Sequence, residues 1–566
     1  MKADLTRNTF DPNNHYARVL MQQGRVQLDA DWNEQAAILL HYLRTLAADL
    51  IGPAGGPAYD CGFGVLKLPV NANNQTITTD FQIGLGHYYV DGILCEAGST
   101  PIRFTPSSTT MNGVVINNVI TVPTWSVDGT EFAANQYVFL YDNAPPNQAP
   151  AFPPTVMLIT DAQAAKSQLT LQLPTDFSFG APANSMLTRV ITYLTQPDYP
   201  GAPALQTTGS MQLYLDVWER HLTYVEADSM REVALGGADT ATRSKIVWQV
   251  KALPPTQTLP GEKVGARLTK QELNLFLQPP TNGKLKARAK QTSAQSNPCI
   301  ISPNSSYQGP ENQLYRVEIH RPGTAWDRTN TDAASTAATF KWSRENGSVV
   351  FPIVKGGDTN VIALESLGRD DRFGLSSGDW VEVQDDRSVL LNTPGTLLQV
   401  QSLDQASATA TLVGTPTAGV GNTASFHPLL RRWDQKSGDP AEAGLTLGTD
   451  GAALIQEGVW LALEAGVEIY FEPLGAPSTD ATNAYRSSDY WLIPARIATD
   501  DVEWPKLTDP SGSYVLDANG STIPLAKAPD GIVHHYAPLA QVTVVAGQQF
   551  DVTSNLEVFE PLAKLM

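Results

Sequence analysis

Apolar positions recur at steps of three and four most clearly near the start of the chain, at Trp32, Ala36, Leu39, Leu43, Leu46 and Leu50. That spacing lines one face of an amphipathic helix. Asp31 followed by Glu34 reads as an N-cap with a carboxylate three residues on, and Gly52-Pro53 reads as the stop. The pattern therefore predicts one helix over residues 31–51. Almost everything after it reads as short strands separated by Gly, Pro, Asn and Asp clusters, for example 87–94, 114–122, 137–141, 213–225, 246–250, 314–319, 459–471 and 490–495. Many are rich in Val, Ile, Tyr and Trp, which pack well on a pleated surface. Residues 270–277, with Leu273 and Leu277 four apart, are compatible with a short helix, and 229–233 reads as loop. The expected fold class is mainly β, built from several antiparallel sandwich or small-barrel domains with one N-terminal amphipathic helix.

A chain of 566 residues is too long for a single core. Proline-rich stretches at 144–154, 197–203 and 253–260 mark linkers, and the polar tract 254–312 lacks a continuous apolar pattern. These signals divide the chain into an N-terminal arm and helix (1–55), a β domain with a small barrel-like module (56–205) and a central β domain containing the irregular tract (206–355). A second barrel-like module (356–435) and a C-terminal β domain (436–566) follow. The two modules share a pattern. Phe132, then Tyr137 to Asp142, a proline-bearing loop, Val156 to Ile159 and Leu169 to Leu173 match Phe373, then Trp380 to Asp385, a proline-bearing loop, Leu397 to Val400 and Thr409 to Val413. Duplication predicts that the two superpose; chance resemblance between β-meanders is the rival.

Charge narrows the partners. Lys and Arg number 38 against 57 Asp and Glu, a net charge of −19, and a surface of that sign repels phosphate backbones and anionic lipids. Nucleic acid is not expected as a partner. The one basic stretch, Lys284, Lys286, Arg288 and Lys290, alternates with Leu285, Ala287 and Ala289. That places its cations on one strand face, either solvated and edge-protecting or against an acidic neighbour. The three cysteines, Cys61, Cys95 and Cys299, are too scattered for a disulfide framework or a zinc site and read as buried thiols. The first residues lack the apolar core of a signal peptide, and no run approaches the roughly eighteen apolar residues that span a bilayer. Synthesis in the cytoplasm and no membrane insertion are the expectation.

Candidate chemistry is sparse. Asp500-Asp501 and Asp370-Asp371 sit in turn-like contexts, and with so many carboxylates pairs arise by chance. His534-His535 would point to opposite faces of a strand and cannot share a metal, which favours hydrogen-bonded structural roles. Gly236-Gly237 lacks the Gly-Lys step of a phosphate loop and reads as a turn. No catalytic residue, cofactor site or metal site is assigned, and the chain is not expected to be an enzyme.

The opening segment is the most distinctive: Phe10-Asp-Pro12, His15-Tyr16, Arg18-Val-Leu20, and Gly24-Arg25-Val-Gln-Leu-Asp29-Ala-Asp31-Trp32-Asn33-Glu34-Gln35. It resembles an uncharacterised family of baseplate- and tail-associated proteins of contractile injection systems and phage-tail-like particles. In layout it is similar to the N-terminal segments of phage tail-fibre and baseplate-attachment proteins. Tyr214 to Arg220, Arg231 to Gly237, Gln313 to Ile319, Phe340 to Gly347, Tyr490 to Arg496 and His534 to Leu539 resemble the same family, so the likeness runs along the whole chain. It implies a structural or adaptor subunit of the baseplate, fibre or spike region, homo-oligomeric with a trimer among the options, partnered by other subunits of the particle. No catalytic residue carries over from it.

Phe10, His15, Tyr16, Arg18, Arg25, Asp29, Asp31, Trp32, Asn33 and Glu34 are the candidate partner-docking residues. Two readings stay open for them. Arg18, Arg25, Asp29, Asp31 and Glu34 form an internal ion-pair and cap network, or the arm before Asp11 is exposed and pairs with a neighbouring subunit's sheet edge. A lone helix in a β protein must bury its apolar stripe somewhere, which makes the helix a candidate inter-subunit face. The rival functions are receptor or glycan binding, with Trp218, Trp342, Trp380, Trp460, Trp491 and Trp504 as stacking platforms, and a delivered effector.

Overall fold

The computed structural model describes the chain apart from residues 71–72, 74, 76, 112–113, 146–147, 175–176, 180–183, 238, 254–268, 280, 291–305, 328–334, 371, 475–482, 519, 546–549 and 562–566. Cys299, Asp371 and much of the 254–312 tract lie outside the described residues. The protein is mainly β, with three α-helices among the described residues: α1 (Asp29–Ile51), α2 (Lys270–Leu277) and α3 (Asp386–Leu390).

Helix α1 begins two residues before the expected start. Asp31 is not its N-cap; its carboxylate reaches back to accept the backbone N–H of Leu28 at 3.3 Å, the N3 half of a capping box. The C-terminal stop is as read, with Gly52 at φ +93° donating its N–H to the Ala48 carbonyl at 2.8 Å. Helix α2 has a reciprocal capping box between Thr269 and Glu272. Helix α3, capped by Asp385 and Ser388, is too short to leave a periodic signal.

Two runs read as single strands are hairpins. Residues 87–94 divide into Gly86–Val90 and Ile93–Ala97, because Asp91 and Gly92 at φ +50° and +74° form a two-residue turn whose left-handed conformation suits Asp-Gly. Gly92 is also pressed against α1, where a Cβ would stand 2.0 Å from the Arg44 carbonyl oxygen. Residues 459–471 break in the same way into Trp460–Ala462 and Val467–Glu472 around Ala465 and Gly466.

The chain forms two compact units, each assembled from three stretches. One comprises Met1–His41, Glu219–Lys245 and Pro280–Val533, the other Tyr42–Trp218, Ile246–Pro279 and His534–Met566. In the first, strand Gln313–Ile319 runs between Thr339–Ser343 and Tyr490–Arg496, antiparallel to both, with Val317 opposite Trp342 and Trp491. All of its residues are buried, and its core includes Tyr315, Phe340, Trp342, Phe471 and Trp491. In the second, residues 209–218 of strand Gly209–Leu222 pair with His535–Val544 and lie beside residues 246–253 of strand Arg243–Leu253. Its core gathers Phe63, Phe81, Tyr88, Leu213, Trp248 and Phe550.

Each unit also carries one small barrel-like module. Strands Val350–Lys355, Val361–Leu364, Trp380–Gln384, Leu397–Asp404, Thr409–Val413 and Leu429–Trp433 close into a barrel. In the other unit, Tyr137–Asp142 pairs with Thr155–Gln163, which pairs with Gln168–Leu171, which pairs with Val114–Thr121. Ser185–Arg189 returns beside Tyr137–Asp142. The two edges of this seven-stranded sheet, Ile102–Arg103 and Thr105–Met111, are one run of chain interrupted at Phe104, so the sheet curls back on itself.

The pairings match strand for strand. Val138 faces Met157 and Arg189, as Val381 faces Leu398 and Arg432. The register shifts of the third pairing also correspond, between Ile159 and Asp161 in one module and between Val400 and Ser402 in the other. Asp142 and Asp385 end equivalent strands, both buried. Asp142 accepts the backbone N–H groups of Ala151 and Asn184, and Asp385 those of Ser388 and Gly421. In each module one carboxylate thus ties the loop that follows its strand to the approach of the last strand.

The first unit buries a charge cluster. Glu318 on the central strand accepts from Lys2 at 2.9 Å and from Arg316 at 2.6 Å, and Lys341 stands 3.5 Å away. Lys341 donates to Glu382 of the barrel at 2.6 Å, and Glu382 also accepts from the Trp433 indole and the Gly395 N–H, both at 2.8 Å. Burial alone would raise both carboxyls, but for Glu382 the charges of Lys341 and Lys2 win and hold it at about 2. For Glu318, Lys2, Arg316 and Lys341 hold it well below the usual carboxylate range. Removing one partner of such a pair leaves an uncompensated buried charge. Lys341→Met is expected to destabilise this unit by about 3–5 kcal/mol in urea unfolding. Because both carboxyls are depressed, their stabilisation is complete above the ordinary glutamate value of 4.5 and is lost as pH falls from there toward 2. Unfolding midpoints measured across that window should drop for the wild type and less for Glu382→Gln, in which the share of Glu318 remains.

Candidate docking surface

The N-terminal arm is held to its own unit over its first ten residues. Asn346 donates to the carbonyls of Met1 and Ala3 at 3.0 and 2.8 Å, Arg7 pairs with Glu503 at 2.8 Å, and Arg496 donates to the Thr6 carbonyl at 2.9 Å. The arm before Asp11 is thus not wholly free: the carbonyls of Met1, Ala3 and Thr6 and the Thr6 N–H are already engaged within the chain. The exposed part of the arm is 11–28.

The ten candidate docking residues divide between the two readings. Asp29 accepts from the Thr6 N–H at 2.9 Å and its hydroxyl at 2.6 Å, Glu34 accepts from the Thr9 hydroxyl, and Asp31 turns back on Leu28. These three carboxylates, with Phe10 packed 5.8 Å from the His41 ring, fasten arm to helix. Arg18 and Arg25 stand exposed on the arm and the structure does not bring them to these carboxylates. His15 turns the chain at φ +54°, and Tyr16, Trp32 and Asn33 are exposed.

The helix itself departs most from a self-contained fold. Its buried residues, Ala30 and Ile38, lie on one face, and the approach of Gly92 to Arg44 lies toward the same side. The stripe read from the sequence lies on the opposite side, in solvent: Trp32 is 65% exposed, Leu39 53%, Leu43 63%, Leu46 57% and Leu50 69%. Leu40 and Tyr42 widen it. On the arm, Tyr16, Leu20, Met21, Val26 and Leu28 are exposed as well, and the Val19 N–H bonded to Gln35 sets the arm beside the stripe. Exposed apolar surface of this extent makes the stripe and the arm beside it the candidate docking surface. The sequence showed the stripe but not its widening by Leu40 and Tyr42, which flank the line from Trp32 to Leu50 on either side.

The remaining candidates resolve as structure. His534 and His535 point apart, their Nδ1 atoms 2.6 Å from Asp216 and 2.8 Å from Asp91. Burial would raise the carboxyls of Asp216 and Asp91. The hydrogen bonds from their histidines, together with Lys251 and Lys270, instead hold both below the usual range. Lys286 and Arg288 meet an acidic neighbour in their own sheet, Glu472 at 2.6 Å and Glu468 at 2.9 Å. Asp370 accepts the N–H groups of Arg372 and Phe373, and Asp501 pairs with Lys506. Cys95 is buried, which pushes its thiol up to about 12; Cys61 is half-buried and raised by burial and by Asp60. Trp218, Trp342, Trp491 and Trp504 are at most 5% exposed, and the Arg288 guanidinium lies over Trp460 at 3.8 Å. Among the described residues no His, Cys, Asp or Glu cluster is placed to hold a metal ion, and no helix is long and apolar enough to cross a membrane.

A family model matches residues 1–114, 198–260 and 262–550, and the chain belongs to that family, a family of unknown function (DUF6519). The breaks in the match include most of the first barrel-like module. No curated protein and no solved structure matches the chain.

The two faces of α1 respond differently to truncation. Ile38→Ala on the packed face is expected to lower unfolding stability by about 2–5 kcal/mol. Leu43→Ser on the open face should change it by no more than about 0.5 kcal/mol when the chain is dilute enough to be single-copy. Denaturant titration of the full chain checks both.

Proposed function

We propose that this protein is a non-enzymatic structural or adaptor subunit of a contractile, phage-tail-like injection particle, acting in its baseplate, fibre or spike region. The observation that carries the reading is the apolar stripe of α1, turned to solvent opposite the face that packs on the chain. A helix with two apolar faces is suited to joining its own fold on one side and a neighbouring subunit on the other. The resemblance of the opening segment to tail-fibre and baseplate-attachment proteins points the same way and supplies the kind of assembly. Repetition of such contacts in a particle adds strength by avidity without requiring any one of them to be tight.

The acidic surface speaks against nucleic acid as the partner. Against glycan binding stands the burial of four of the six candidate indoles and the covering of a fifth by Arg288.

Tail-like particles purified from cells that make the chain should contain it in constant proportion to the other subunits. In full-length chain carrying Leu39→Glu and Leu46→Glu, the incorporated fraction should fall at least about tenfold. Absence of the wild-type chain from every high-mass particle overturns the proposal.

A further inference from the structure

The stripe on α1 has a repeat that says what kind of surface can cover it. Its members fall at successive steps of four, three, four, three and four residues. That is a seven-residue repeat, with Trp32, Leu39 and Leu46 in one core position and Ala36, Leu43 and Leu50 in the other. A straight α-helix drifts about 20° per heptad from such a repeat, so the stripe stays on one line only when the helix winds around another of the same period. A flat sheet face or a groove imposes no such period. Among the described residues the other α-helices, α2 and α3, have eight and five residues and cannot follow a seam of this length.

The positions flanking the seam are Asn33, Leu40 and Ala47 on one side and Gln35, Tyr42 and Asp49 on the other. They carry a single charge on a chain whose net charge is −19. Of the other charged residues of α1, Asp31, Glu34 and Arg44 lie away from it, and Asp29 takes the core position one heptad before Ala36, at the N-terminal end of the seam, where its carboxylate is engaged by the Thr6 N–H and hydroxyl. In a parallel pair Asp49 would face the partner helix beyond its C-terminal end, and the carboxylates brought level are the two Asp29 groups at the N-terminal mouth of the seam, each already held by Thr6. Charge depletion at the centre is what a buried interface core requires. At their observed exposures Trp32, Leu39, Leu40, Tyr42, Leu43, Leu46 and Leu50 offer on the order of 900 Å² per copy, about one partner's share of a stable interface. A membrane surface is the poorer fit, because interfacial helices carry Lys and Arg on the polar face and α1 has Arg44 alone.

We infer that α1 pairs with α1 of a second copy of this chain along the Trp32–Ala36–Leu39–Leu43–Leu46–Leu50 seam. The inference rests on the reading of α1 as a docking element and names its occupant. The seam widened by Leu40 and Tyr42 has room for more than two helices.

Sedimentation velocity of the full chain decides the point. The wild type should run at a multiple of 61.1 kDa. Leu43→Glu should weaken association more than about a hundredfold and give the single-copy mass with an unchanged far-ultraviolet spectrum, while Thr45→Glu, off the seam, stays assembled. Mild oxidation of Leu50→Cys should link two copies if the helices are parallel. A mixture of Trp32→Cys and Leu50→Cys should link if they are antiparallel, the wild type giving the background in each case. A single-copy wild type at tens of micromolar, including one that binds anionic vesicles instead, overturns the inference, as does an oligomer indifferent to Leu43→Glu. If the wild type is single-copy but Leu43→Glu is still lost from particles, self-association fails and the assembly role stands. If the seam assembles but the chain is absent from particles, the assembly role fails and the seam stands.

Discussion

An α-helix can turn only part of its circumference toward its own chain, and in this protein that limit governs the reading of everything else. Helix α1 has apolar residues on two sides. Ile38 and Ala30 are buried, whereas the line from Trp32 to Leu50 is left in water. Leaving five large side chains more than half exposed forgoes burial worth about 1.5–3 kcal/mol for each. The proposed pairing of α1 would recover that loss by covering the stripe. The arm reinforces the arrangement, since Thr6 and Thr9 spend their donors on Asp29 and Glu34 and so fix the helix start.

The arm that leads into that helix is mounted on the β-sheets of the first unit. In the first unit the mounting is electrostatic as well as apolar. Glu318 joins Lys2 of the arm to the central strand, and Lys341 hands the connection on to Glu382 inside the barrel. Every bonded oxygen in that chain faces a donor, which is why charges survive at positions almost without solvent contact. The arrangement holds arm, sheet and barrel of that unit to one another by specific geometry where apolar packing alone would permit slippage.

Much of the fold was legible in the sequence, and the failures have physical causes. The long helix, its Gly52 stop and the short helix at 270–277 follow from periodicity and capping residues that act within a few positions of one another. The turn at Asp91-Gly92 was missed because the apolar residues on either side ran on as one strand, although Asp-Gly is a strong hairpin signal. Asp31 was misplaced because its carboxylate can cap from either of two positions, and only the path of Leu28 decides between them. For Lys286 and Arg288 the acidic neighbour, the second of two readings, is what the structure holds, and its place was not legible because Glu472 and Glu468 lie far along the chain. For the docking surface, the stripe was visible and its outward direction was not. Exposure is settled by what the rest of the chain leaves uncovered, and no local pattern records it.

The paired barrel-like modules carry a lesson about tolerance. Asp142 and Asp385 each hold two backbone N–H groups, one in the loop that follows and one much later in the chain. A latch that grips main chain is indifferent to the side chains it spans. The stretch behind Asp142 is a proline-bearing loop and the stretch behind Asp385 begins with α3, yet the same order of strand pairings is kept in both, as a curled seven-stranded sheet in one and a closed six-stranded barrel in the other. Such modules can exchange whole surface loops and keep their frames, leaving the rims free to diversify while the interior stays put.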